Sequence, residues 1–202
     1  PRPQAGHHGR CAFGRRGIWL DRGKVIQEGA SRQVVSHYLN TSFSTLTEQI
    51  WSDRETAPGN HQVRLHRVGI RPIDGVPTDP ITVRNDCLIE FEYWNQQSEA
   101  NLELSFQMYN EQGILIFAFG RIKEPDWQNE IPLGLLRETC KIPGNLLNNG
   151  MHRLELFIAK NQDLIYHHHD VLVFDVRDDR SVDWYGEWPG TVRPILDWTI
   201  ER

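Results

Sequence analysis

Leu88-Ile89-Glu90-Phe91-Glu92-Tyr93-Trp94 and, a few residues on, Leu102-Glu103-Leu104-Ser105-Phe106-Gln107-Met108-Tyr109 are the stretches on which the fold turns. In the first, Ile89, Phe91 and Tyr93 alternate with Glu90, Glu92 and Trp94. In the second, Leu102, Leu104, Phe106 and Met108 alternate with Glu103, Ser105, Gln107 and Tyr109. Successive strand residues point to opposite faces, so each stretch reads as a half-buried antiparallel strand. The same grammar extends outward. Val63 to Ile70, Ile114 to Phe119 and Thr139 to Ile142 read as strands, the last one short. Leu154, Leu156 and Ile158 alternate with Glu155, Phe157 and Ala159, and Leu172, Phe174 and Val176 close the set. Glu111-Gln112-Gly113 and Asn148-Asn149-Gly150 punctuate it as turns. About eight short strands with no long helix between them predict an all-β chain: an antiparallel β-sandwich of jelly-roll or immunoglobulin-like type.

The segments around this body differ from it. Residues 1–16 are rich in Gly, Arg and His without apolar periodicity, and read as a disordered or non-native start. Gly17 to Leu20, a turn at Asp21 to Lys24, and Val25-Ile26 predict a small hairpin. Ser31 is a plausible N-cap for a short helix carrying Val34, Val35, Tyr38 and Leu39, so 17–40 forms a hairpin–helix extension. Residues 41–61 are polar and read as a linker, with Ile50-Trp51 placed to dock. The sandwich occupies 62–202. Its last stretch, Val192 to Trp198, reads as a terminal strand able to pair with a second copy in a homodimer.

Net charge is -5 over 202 residues, with 22 basic and 27 acidic side chains, and 7 of the basic residues lie in the first fifty. The body is therefore acidic, which disfavours a phosphate backbone as ligand, and no nucleic-acid partner is expected. Three cysteines, Cys11, Cys87 and Cys140, lack metal spacing and fit a reducing compartment. No apolar run has the length of a membrane span, so a cytoplasmic location is expected. Seven tryptophans supply core volume and flat surfaces for stacking.

Gly17-Ile18-Trp19-Leu20-Asp21-Arg22-Gly23-Lys24-Val25-Ile26-Gln27-Glu28-Gly29, followed by Val34-Val35-Ser36-His37-Tyr38, resembles the closing segment of an ABC-transporter ATPase domain. The body resembles the C-terminal domain of Wzt-type polysaccharide and O-antigen exporters. The resemblance rests on Gly113, Cys140-Lys141-Ile142-Pro143, Asn145-Leu146-Leu147-Asn148-Asn149-Gly150, Phe174-Asp175-Val176 and the closure from Gly190 to Trp198. It implies a β-sandwich that binds the exported glycan on one sheet and dimerises. It also implies association with the transporter's membrane subunit through an ATPase domain, at the inner membrane. No G-x-x-x-x-G-K-[ST] loop occurs, so no ATPase activity and no cofactor are expected. The mismatch of residues 1–15 to the ATPase suggests a truncated gene start.

Sugar sites offer an aromatic plane to the apolar ring face and carboxylate, amide or guanidinium groups to the hydroxyls. The polar strand faces carry such groups: Glu90, Glu92 and Trp94; Glu103, Gln107 and Tyr109; Arg153, Glu155 and Phe157. Trp127, in a long loop, is placed to wall the site. Glu90 and Glu92 are a carboxylate pair on one strand face, but are read as ordinary sheet residues rather than as a glycosidase's acid and base. Of His167-His168-His169-Asp170, only His167 and His169 share a face. The run is read as a solvated strand end, with no metal ligand set.

Overall fold

The computed structural model describes residues 16–21, 23–31, 34, 45–97, 101–120, 131–179 and 189–200. The chain divides into two compact units, 1–44 and 45–202.

In the first unit β1 (Arg16–Asp21) and β2 (Lys24–Ala30) form the expected antiparallel hairpin, from Arg16↔Ala30 to Asp21↔Lys24. Gly23, at φ 78°, takes the left-handed conformation the tight turn requires. Arg16 and Glu28 pair across it at 2.5 Å. Of the helix expected after Ser31, only Ser31 and Val34 are among the described residues.

The second unit is the antiparallel β-sandwich that the alternation predicts. Its strands are β3 (Glu48–Ile50), β4 (Val63–Pro72), β5 (Ile81–Thr82), β6 (Cys87–Asn95), β7 (Leu102–Asn110), β8 (Leu115–Gly120), β9 (Gly134–Ile142), β10 (Gly150–Lys160) and β11 (Asp163–Arg177). One sheet has the order β5-β11-β10-β7-β8, the other β3-β4-β6-β9. All pairings are antiparallel except β5 with β11. Strands consecutive in the chain, such as β6 and β7, often belong to different sheets, so most pairings are non-local. Part of the expected linker contributes β3, an edge strand, and Trp51 packs against the core.

The core is the set of apolar faces read from the sequence. Leu65, Ile89, Phe91 and Tyr93 from the four-stranded sheet meet Phe106, Met108, Leu154, Leu156, Leu172 and Phe174 from the five-stranded one. Phe91 and Phe106 bring their rings to 5.9 Å across the interface. Cys87 and Cys140 lie in or against this core, and burial raises both thiols, Cys87 to about 11, which keeps them protonated and inert at neutral pH.

Two strands are longer than their sequence pattern. β9 starts at Gly134 rather than Thr139, because as an edge strand it needs little burial on either face. β11 starts at Asp163, after a two-residue turn in which Asn161 (φ 51°) and Gln162 (φ 76°) are both left-handed. That conformation is the hairpin geometry that suits the sheet's twist, achieved here without glycine. Val192 to Trp198, expected as a final strand, forms none. The segment's ladder contact is a single bridge, Leu147↔Val192, and Ile195, Leu196, Trp198 and Ile200 are exposed.

Candidate functional site

The sandwich has two outer faces, and the candidate residues divide between them. On the four-stranded sheet, β6 turns Glu90, Glu92 and Trp94 outward between β4 and β9. Arg67 reaches Glu48 at 2.7 Å, Glu90 at 2.9 Å and Glu92 at 3.5 Å. Arg71 and Arg137 meet Glu90 at 3.2 and 3.4 Å, and Arg137 meets Glu92 at 3.3 Å. Glu90 is only 5% exposed, covered by these guanidinium groups. Burial by itself would raise its carboxyl, but hydrogen bonds from Arg71 and Arg67, with their charges, outweigh burial and hold it below the ordinary carboxylate value. The Trp94 ring lies 4.6 Å from that of His66, tilted by 52°. Ion pairs thus occupy this face around Glu90 and Glu92.

On the five-stranded sheet, β7 and β10 run side by side in register, with Tyr109↔Arg153, Gln107↔Glu155 and Ser105↔Phe157. Directly opposite residues share a face, so Glu103, Gln107, Tyr109, Arg153, Glu155 and Phe157 all project outward together. The Tyr109 hydroxyl donates to Gln107 Oε1. The Arg153 guanidinium sits 5.8 Å from the Tyr109 ring centroid and donates to Asp170 at 2.9 Å. Asp170, at φ 47°, lies in a bulge of β11 opposite Leu154 to Leu156, which turns its carboxylate toward Arg153. On β11, His167 stacks on Phe157 with centroids 4.1 Å apart and planes 13° apart. Beside this row is a shallow depression of about 370 Å³, lined among others by Ser105, Gln107, Ala118, Phe119, Phe157 and Leu164.

The structure thus brings Glu103, Gln107, Tyr109, Arg153 and Phe157 to one surface. It does not bring Glu92 or Trp94 there; both are corrected to the opposite side of the sandwich. Alternation along one strand tells outward from inward, but two sheets have two outward directions, and only strand pairing distinguishes them. Trp127 lies outside the described residues, as do Trp184 and Trp188. The histidine run is not a solvated strand end. It lies within β11, where His167 and His169 share the outer face with Glu155, and His168 points the other way. Burial, followed by the charges of its two neighbours, lowers the His168 imidazole, which meets the Tyr166 hydroxyl at 2.9 Å. Glu155 joins the surface as its strand alternation predicts, while His167 and Asp170 are members that alternation within β7 and β10 did not assemble. The signal available for them was the i, i+2 spacing of His167 and His169.

No family model matches the chain, and no curated protein matches it. Among solved structures, a beta-glucuronidase from glycoside hydrolase family 2 overlaps 54% of this chain and 11% of its own, at 16% identity and TM-score 0.34. A putative beta-galactosidase from Bacteroides fragilis overlaps 65% and 17%, at 15% identity and TM-score 0.34. The crystal structure of the C-terminal domain of Wzt superposes over 83% of this chain and 95% of that one, at TM-score 0.58 and 12% identity. The chain has the fold of that domain.

Proposed function

We propose that this chain is a non-catalytic carbohydrate-binding module, that its ligand is an exported polysaccharide of O-antigen or capsule type, and that it serves an ABC transporter on the cytoplasmic side of the inner membrane. The observation that carries the reading is the convergence of Tyr109, Gln107, Arg153 and Phe157 on one outer face of a fold shared with the Wzt C-terminal domain. Two aromatic side chains, an amide and a guanidinium match the apolar and hydroxylated faces of a sugar ring. Partial burial of one aromatic face contributes on the order of 2 kcal/mol, whereas hydroxyl hydrogen bonds largely replace those to water. Binding on the order of μM to mM follows. Binding is favoured over hydrolysis because the Glu90–Glu92 pair is bound up by arginines, and Glu90 is held ionised, the wrong state for a general acid. Among the described residues no helix is long and apolar enough to cross a membrane.

A glycan array of bacterial O-antigen and capsular polysaccharides, followed by calorimetry, tests the reading. Tyr109→Ala is expected to weaken the best ligand about tenfold, with an unchanged circular dichroism spectrum. Trp94→Ala is expected to leave affinity within about twofold, since it lies on the other face. The reverse pattern, or a folded protein that binds no glycan, overturns it.

One observation favours a homodimer as well. Trp198 and Ile200 are 90% and 91% exposed on a tail without a ladder partner beyond Val192. Burying such side chains against a second copy would gain about 2 kcal/mol each. Sedimentation should give a dimer for the native chain and a monomer for Ile195→Asp with Trp198→Asp. A monomeric native chain refutes dimerisation and leaves glycan binding to be judged by the array.

A further inference from the structure

We propose that Glu155, His167 and His169 form a binding site for a divalent transition-metal ion of the zinc class on the outer face of the five-stranded sheet. The ligand atoms of the three side chains all lie within 4.8 Å of one another. Glu155 Oε2 is 2.8 Å from His167 Nε2 and 3.4 Å from His169 Nδ1. A tetrahedral zinc ion with bonds of about 2.0–2.2 Å holds its donors roughly 3.3 Å apart, so the donor separations need to change by at most about 1.5 Å.

The arrangement follows from the fold. Residues 167 and 169 share a face because strand side chains alternate, and their rings lie 3.8 Å apart by centroid. β10 pairs with β11 at Phe157↔His167 and Leu156↔His168, which sets Glu155 beside both imidazoles. Stacking on Phe157 fixes the His167 ring plane, a constraint that favours a defined coordination geometry. The Glu155 side chain is only 15% exposed, and a carboxylate at that depth calls for positive charge close by. The Arg153 guanidinium donates to Asp170. A divalent ion bound by Glu155 supplies that charge. Imidazole and carboxylate donors without thiolate suit zinc, copper, nickel or cobalt rather than calcium or magnesium. His169 is largely exposed, so ions reach the site from solvent and the remaining coordination positions face outward.

The proposal is independent of the glycan reading, and its test uses metal alone. Calorimetric titration of the full chain with Zn²⁺, and Co²⁺ absorption spectra as a report on nitrogen ligation, are read for native protein and for His169→Ala, His167→Ala and Glu155→Gln. Native protein is expected to bind one ion, with visible Co²⁺ bands. His169→Ala, an exposed position that leaves the Phe157 stack intact, should weaken binding about 100-fold with an unaltered spectrum in the far ultraviolet. Binding of equal strength in the double His167→Ala, His169→Ala variant would place the ion on other histidines and overturn the proposal, as would native protein that takes up no ion.

Discussion

Glu90→Ala is expected to lose about 3 kcal/mol of unfolding free energy, measured by urea denaturation near neutral pH. Glu90 neutralises Arg67 at 2.9 Å and Arg71 at 3.2 Å on a face where the Arg67 side chain is only 16% exposed. Removing the carboxylate leaves Arg71 without its carboxylate partner and Arg67 with Glu48 and Glu92 alone, and the partly desolvated positive charge left behind, more than the lost attraction, costs stability. Burial also weighs on Arg67, and its hydrogen bonds to Glu48 and Glu90 more than offset that, raising its pKa further. A paired replacement, Glu90→Leu with Arg71→Met, removes both signs together and is expected to recover most of the loss. A cost below about 1 kcal/mol for Glu90→Ala would mean that the cluster behaves as an ordinary surface ion pair.

Acidification is expected to destabilise the sandwich through His152. This residue is 2% exposed, its Nδ1 donates to the Gly150 carbonyl at 2.9 Å, and its ring stacks on Phe174 at 5.5 Å. Burial lowers its pKa to about 4, against the small opposing effect of the Gly150 hydrogen bond. The unfolded chain therefore binds a proton at this site from about pH 6.5 downward, while the folded chain does so only near pH 4. Stability is fully present above the unfolded value and falls as pH drops through that window. The loss is about 2 kcal/mol by about pH 5 and approaches 3 kcal/mol near pH 4. Denaturation midpoints across this range should flatten in His152→Leu relative to native protein. Equal slopes for the two would remove His152 as the source. The depressed carboxyl of Glu90 acts at lower pH and does not account for the upper part of the window.

The core was legible because it depends only on local alternation. Ile89, Phe91 and Tyr93, and Leu102 to Met108, are buried where period two puts them. Strand ends were less legible. β9 is an edge strand with a weak pattern, and the β10–β11 turn uses Asn161-Gln162, which lacks the glycine that marks such turns. The candidate surface was half legible. The outward placement of Tyr109 and Phe157 was readable because they break the polar face of their strands with aromatic rings. That Trp94 lies apart from Gln107 and Tyr109 has a non-local reason: β6 pairs with β9, Glu92 opposite Arg137, far along the chain from the β7–β10 pairing that gathers Gln107 and Glu155. The arginines that occupy the Trp94 side belong to β4 and β9 and could not be matched to Glu90 from spacing alone.

The ion-pair lattice over the four-stranded sheet has one more consequence, which concerns valency. A surface whose charges already satisfy each other offers little to a passing polymer, so the proposed glycan site leaves the described residues of each folded unit with one adhesive side. In the glycan-binding reading proposed above, such a unit would hold one strand of ligand at a time and would not bridge two. Any gain from multiple attachment must then come from joining copies of the chain, at an effective concentration set by how they are tethered.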